Sequence, residues 1–106
     1  MSRALISVPA TARRGEIITI KTLISHPMES GFRHTTTGQP IPRDIVTSFT
    51  AAWNGEEIFR AEIYPGIAAN PFIVFHTIAV DSGIIEFRWD GDNGFNATEQ
   101  AKITVT

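Results

Sequence analysis

Imidazole nitrogen and thioether sulfur are ligands for copper and zinc, so His26, His34 and His76, together with Met28, come first. A metal-binding reading would use His26, Met28 and His34. Their spacing matches no ligand pattern: no two histidines alternate on a strand, and there is no HxxxH. Ser25 and His26 are adjacent, but a Ser–His nucleophile pair must sit on one face, and neighbours on a strand point to opposite faces. There is no G-x-S-x-G. Glu56-Glu57 would need a cleft to do acid–base work; at a hairpin the pair reads as solvated surface. Asp90, Asp92 and Asn93 suggest a calcium turn, yet an EF-hand needs a distant bidentate Glu and flanking helices. Gly91 and Gly94 lead into a strand rather than a helix N-terminus, so they cradle no phosphate. The chain has no cysteine. That excludes thiolate nucleophiles, disulfides, iron–sulfur clusters and Cys-type zinc sites.

The elements that must position these residues read as strands. Arg3 to Val8 is a first strand, closed by Pro9. Gly15 to Ser25 is a second, with Ile18, Ile20 and Ile24 alternating against Thr19, Lys21 and Ser25. The stretch from His26 to Arg43 holds Pro27, Gly31, Gly38, Pro40 and Pro42 and breaks any regular element. Asp44 to Trp53 resumes alternation, with Ile45, Phe49, Ala51 and Trp53 on one face. Asn54-Gly55 then signals a type I′ hairpin, since both residues tolerate positive φ. Glu56 to Ile63 returns, with Phe59, Ala61 and Ile63 inward. Pro71 to Val80, Ile84 to Trp89 and Asn96 to Thr106 complete the set, the last with Ala101, Ile103 and Val105 inward. About seven strands with turn signals roughly every 8–12 residues predict an all-β, immunoglobulin-like antiparallel sandwich in a single domain over residues 1–106.

Two strands are apolar on both faces. The second places Ile17 and Leu23 opposite its main apolar row. The strand from Pro71 has Phe72, Val74 and Ile78 on one face and Ile73, Phe75 and Ala79 on the other. An antiparallel sandwich strand normally keeps one wet face. Either the His26–Arg43 loop covers the second apolar face, or another protein does.

Composition narrows the classes further. Apolar residues make up 42% and charged residues 19%, so the chain is neither disordered nor supercharged. The net charge of -2, with no basic stripe interleaved with aromatics, excludes a nucleic-acid surface. No segment is long and apolar enough to span a membrane. Arg13-Arg14 is followed by Gly15-Glu16 instead of an apolar run, which rejects a twin-arginine signal. With no signal peptide visible, these residues alone point to the cytoplasm. They give a binding module rather than an enzyme.

The irregular stretch and its borders carry a resemblance. Ile20-Lys21-Thr22-Leu23-Ile24-Ser25-His26-Pro27-Met28-Glu29, then Gly31-Phe32-Arg33, resembles the hallmark segment of the SoxZ family of sulfur-oxidation proteins. The likeness continues through Ile41-Pro42-Arg43-Asp44-Ile45, Asn54-Gly55-Glu56, Phe59-Arg60-Ala61 and Ile67-Ala68-Ala69-Asn70-Pro71-Phe72. It ends in Asp92-Asn93-Gly94 and Ala101-Lys102-Ile103-Thr104-Val105. It covers nearly the whole chain, in order. His34-Thr35-Thr36-Thr37-Gly38 departs from it, where the family is more charged.

The resemblance implies an immunoglobulin-like sandwich that needs no cofactor and pairs with SoxY in a heterodimeric carrier for thiosulfate oxidation. SoxY would bear sulfur intermediates on the cysteine of a mobile C-terminal arm and present them to the other periplasmic Sox enzymes. A cysteine-free chain fits that division of labour. The resemblance also moves the expected compartment to the periplasm, by export together with a signal-bearing SoxY. It leaves open whether the chain self-associates when SoxY is absent. The apolar second faces near Leu23 and Phe75 are candidate SoxY contacts. So are Phe32, Arg33, Arg43 and Tyr64 in the loops, because aromatics and arginines dominate interface hot spots.

Overall fold

The computed structural model describes residues 4–106. Among these described residues eight strands run in the order β1 (Ala4–Ser7), β2 (Thr11–Ala12), β3 (Ile17–Ile24), β4 (Val46–Trp53), β5 (Glu56–Glu62), β6 (Phe72–Ile78), β7 (Gly83–Gly91) and β8 (Asn96–Val105), with one 3₁₀ turn at Asp92–Gly94. They form a three-stranded sheet, β1-β3-β6, and a five-stranded sheet, β2-β8-β7-β4-β5. The all-β sandwich expected from the alternation is the fold observed. The two-residue β2 is an addition that no alternation could signal, and it pairs parallel to β8, so the larger sheet is mixed.

The inner faces meet around Phe49, whose ring lies 5.1 Å from Trp89, 6.0 Å from Phe59, 6.2 Å from Phe87 and 6.3 Å from Phe75. Phe59 and Phe75 stack at 4.5 Å and tie the edge of one sheet to the edge of the other. Aromatic pairs at these separations add to the free energy of burying their area. Asn54 and Gly55 take φ of 51° and 84°, as the predicted hairpin requires.

Two bulges modify the predicted alternation. Val46 pairs with Gly91 and Ser48 with Asp90, so Thr47 is the extra residue, and the consecutive Ile45 and Val46 are both buried. The close approach here excludes a side chain on Gly91, whose Cβ would lie 2.6 Å from the Ile45 carbonyl oxygen. Across the β4–β5 hairpin, Ala51 faces Phe59 and Ala52 faces Glu57, which leaves Ile58 unpaired and half-buried against the core.

The stretch after β3 is irregular, as predicted, but it does not cover a sheet face. Its base is closed by a bridge between Glu29 and Asp44, and its outer part is a narrow loop bridged at His34 and Pro40. Residues 32–40 are all exposed. Nor is β6 a central strand: it is an edge, and Phe72 on its outer face is 59% exposed. Coverage of the second apolar face by the His26–Arg43 loop is therefore overturned, because the loop packs on itself and on the Asp92 turn.

Candidate functional site

The outer face of the three-stranded sheet is built by strand period and register. Each outward row crosses all three strands or two of them: Leu5–Leu23–Phe72, Ser7–Lys21–Val74, Thr19–His76 and Ile17–Ile78. Directly opposed side chains in such rows lie about 5 Å apart and touch. Leu5 and Ile17 are each 69% exposed and Ile78 is 55% exposed. Apolar ends thus flank a polar middle, where His76 Nδ1 and Thr19 Oγ1 are hydrogen-bonded at 3.0 Å. Around the free edge of β6 the face runs into a groove of about 520 Å³, floored by Trp53, Ile58, Ile78 and Val80.

The sequence-derived contact residues divide among three places. Leu23 lies on the outer face, half-buried between Leu5 and Phe72. Phe75 does not: it is 5% exposed and stacked on Phe59 inside the core. That corrects its choice as a contact, since only the opposite parity of β6 reaches outward. Phe32, Arg33, Arg43 and Tyr64 are exposed in the loops that follow β3 and β5. There Arg33 is bound by Glu29, and Arg43 grips Asp92 through Nε at 2.8 Å and a second guanidinium nitrogen at 2.9 Å. Hydrogen bonds from Arg43 hold the Asp92 carboxyl below the ordinary carboxylate range. Desolvation opposes this, and the Ile45 N–H at 3.2 Å assists. Glu29 is lowered in the same way, first by its hydrogen bonds to Arg33.

His26, Met28 and His34 are not gathered into a ligand set. His26 is buried, and its Nδ1 accepts the Met28 N–H at 3.0 Å, which puts the proton of the neutral ring on Nε2, 3.5 Å from Asp44 Oδ1. The Met28 sulfur accepts the Val46 N–H at 3.3 Å. Met28 holds a φ of 53°, a conformation costly for a side chain of this size and kept here by those two bonds. His34 is exposed in the outer loop. Among the described residues no three His, Asp or Glu side chains converge in the manner of a metal site.

The exposed residues that strand reasoning overlooked are Leu5 and Lys21. Leu5 belongs to a strand too short to show its period, and Lys21 is counted as ordinary polar alternation until its row is assembled.

A family model described as sulphur oxidation protein SoxZ matches residues 6–102. No curated protein sequence matches the chain. Among solved structures, the superoxide reductase (neelaredoxin) from Ignicoccus hospitalis shares 14% identity at a TM-score of 0.76, covering 97% of this chain and 80% of that one. The sulfur carrier protein SoxY from Chlorobium limicola f thiosulfatophilum shares 11% at 0.70, covering 100% of this chain and 81% of that one. A putative superoxide reductase from Thermotoga maritima shares 14% at 0.74, covering 97% of this chain and 85% of that one. At such identities the likeness is one of fold.

Proposed function

The chain belongs to the SoxZ family of sulphur oxidation proteins and so to the Sox system, and from that premise we propose that it is the non-catalytic subunit of a sulfur carrier, binding SoxY through the outer face of the β1-β3-β6 sheet. The uncovered apolar rows of that face carry the reading: Leu5, Leu23 and Phe72 at one end, Ile17 and Ile78 at the other. A soluble sheet with water on its outer side has no use for such rows, and contiguous exposed apolar surface marks an interaction site.

The chain brings no thiol of its own. In this reading the reactive cysteine belongs to SoxY's C-terminal arm, and the present chain supplies a folded support for it. The exposed loops bearing Phe32, Arg33, Arg43 and Tyr64 add further contacts to SoxY. The complex works in the periplasm, with this chain exported alongside SoxY.

Native mass spectrometry of the chain co-expressed with SoxY tests the reading. A one-to-one complex is expected, with any thiosulfate-derived mass on SoxY, and the double substitution Leu5→Glu, Phe72→Glu abolishes the complex. Failure of two folded wild-type chains to associate overturns it.

A further inference from the structure

Charge on the outer face is one-sided. Lys21 stands midway along β3, the central strand of its sheet, between Ser7 and Val74. It is exposed, and among the described residues its ammonium has no carboxylate partner. Arg14, Arg33, Arg43, Arg60 and Arg88 differ in that each reaches an acid. The outward positions of the three strands include no Asp or Glu. Among the described residues the other ionisable group on the face is His76, diagonal to Lys21.

We propose that Lys21 selects the partner on this face: it admits an apolar sheet face that presents a carboxylate opposite it, and it disfavours a second copy of this chain. The inference rests on the reading of SoxY as the partner. Covering the face strips water from the ammonium, and a buried charge without a partner is costly, whereas an opposing carboxylate compensates it. A two-fold pairing of identical faces contacts the same patch on both copies. Centred on this face, it would bring two Lys21 side chains together in the polar middle, between the covered apolar ends, with no acid from either copy. Like charges so placed reject a wrong partner even where the apolar rows would accept it.

The test uses the full chain, purified alone and with purified SoxY. K21E is expected to weaken SoxY binding by more than about thirtyfold in titration calorimetry. Sedimentation of the chains alone is expected to show a monomer for wild type and a dimer for K21M. K102E, a charge reversal on an exposed residue of the other sheet, should leave both results as in wild type. All three variants should keep the wild-type melting temperature, because both side chains are exposed. SoxY binding by K21E as tight as wild type overturns the inference, and so does the same oligomeric state for K21M and wild type. If wild type itself fails to bind SoxY, the SoxY reading falls, and sedimentation of K21M against wild type still decides the role of Lys21.

Discussion

Asp92 shows how one carboxylate holds the loop end together. It accepts two hydrogen bonds from Arg43 and one from the Ile45 backbone, joining the 3₁₀ turn to the returning end of the long loop. Because these bonds depress its folded-state pKa, its stabilisation is fully present above the unfolded carboxylate value near about 4 and is lost as pH falls through the lower folded value. Asp92→Asn keeps an acceptor for Ile45 and loses the charge. The variant is expected to be less stable than wild type at neutral pH, with a gap that stays level down to about pH 4 and closes below it. Urea denaturation of both proteins across that range checks this. A gap that persists undiminished at about pH 2 would show that shape, and not charge, is what Asp92 contributes.

At the scale of the element, β6 separates the core from the exposed face by parity alone. Phe72 and Phe75 lie three residues apart on one strand, and one faces water while the other is sealed against Phe59. Truncation to alanine should therefore split their effects. Phe75→Ala is expected to cost about 3–5 kcal/mol of folding stability, the range for emptying a packed aromatic site. Phe72→Ala should stay within about 0.5 kcal/mol in the isolated chain and should instead weaken the complex. Denaturant titration of the chain alone, beside partner binding, resolves the two. Equal stability losses would show that β6 is packed differently. The edge position of β6 and the short β1 bound the same face, so the surface offered to a partner is narrow and is defined by three strands.

Taken as a whole, the molecule has two outer faces of different character. The five-stranded sheet presents charges of both signs, among them the pairs of Arg60 with Glu57 and of Arg88 with Asp90. The three-stranded sheet presents apolar rows with nothing over them. The isolated chain is thus expected to bind the dye ANS through that face while keeping a sharp unfolding transition, which distinguishes it from a loosened core. Dye fluorescence should fall when SoxY is added. Fluorescence that Leu5→Glu, Phe72→Glu leaves unchanged would place the dye elsewhere, for instance in the groove beside Trp53.

The strand alternation, the Asn54-Gly55 hairpin and the double-faced apolar pattern of Ile17, Leu23, Phe72, Val74 and Ile78 were determined by the chain itself. Each is a local consequence of a period of two or of a residue that accepts positive φ. The family is likewise carried by residue order, over residues 6–102. Which of two apolar faces is dry is not a local property. Phe72 and Phe75 have the same residue type and the same strand neighbours. Their fates diverge because the five-stranded sheet lies on one side of β6 and the long loop does not fold over the other. The roles of Leu5 and Lys21 also depend on register between strands far apart in sequence, and bulges at Thr47 and Ile58 shift phase where no single strand announces it. Alternation assigns a side chain to a face; only the packing of the two sheets decides which face meets water.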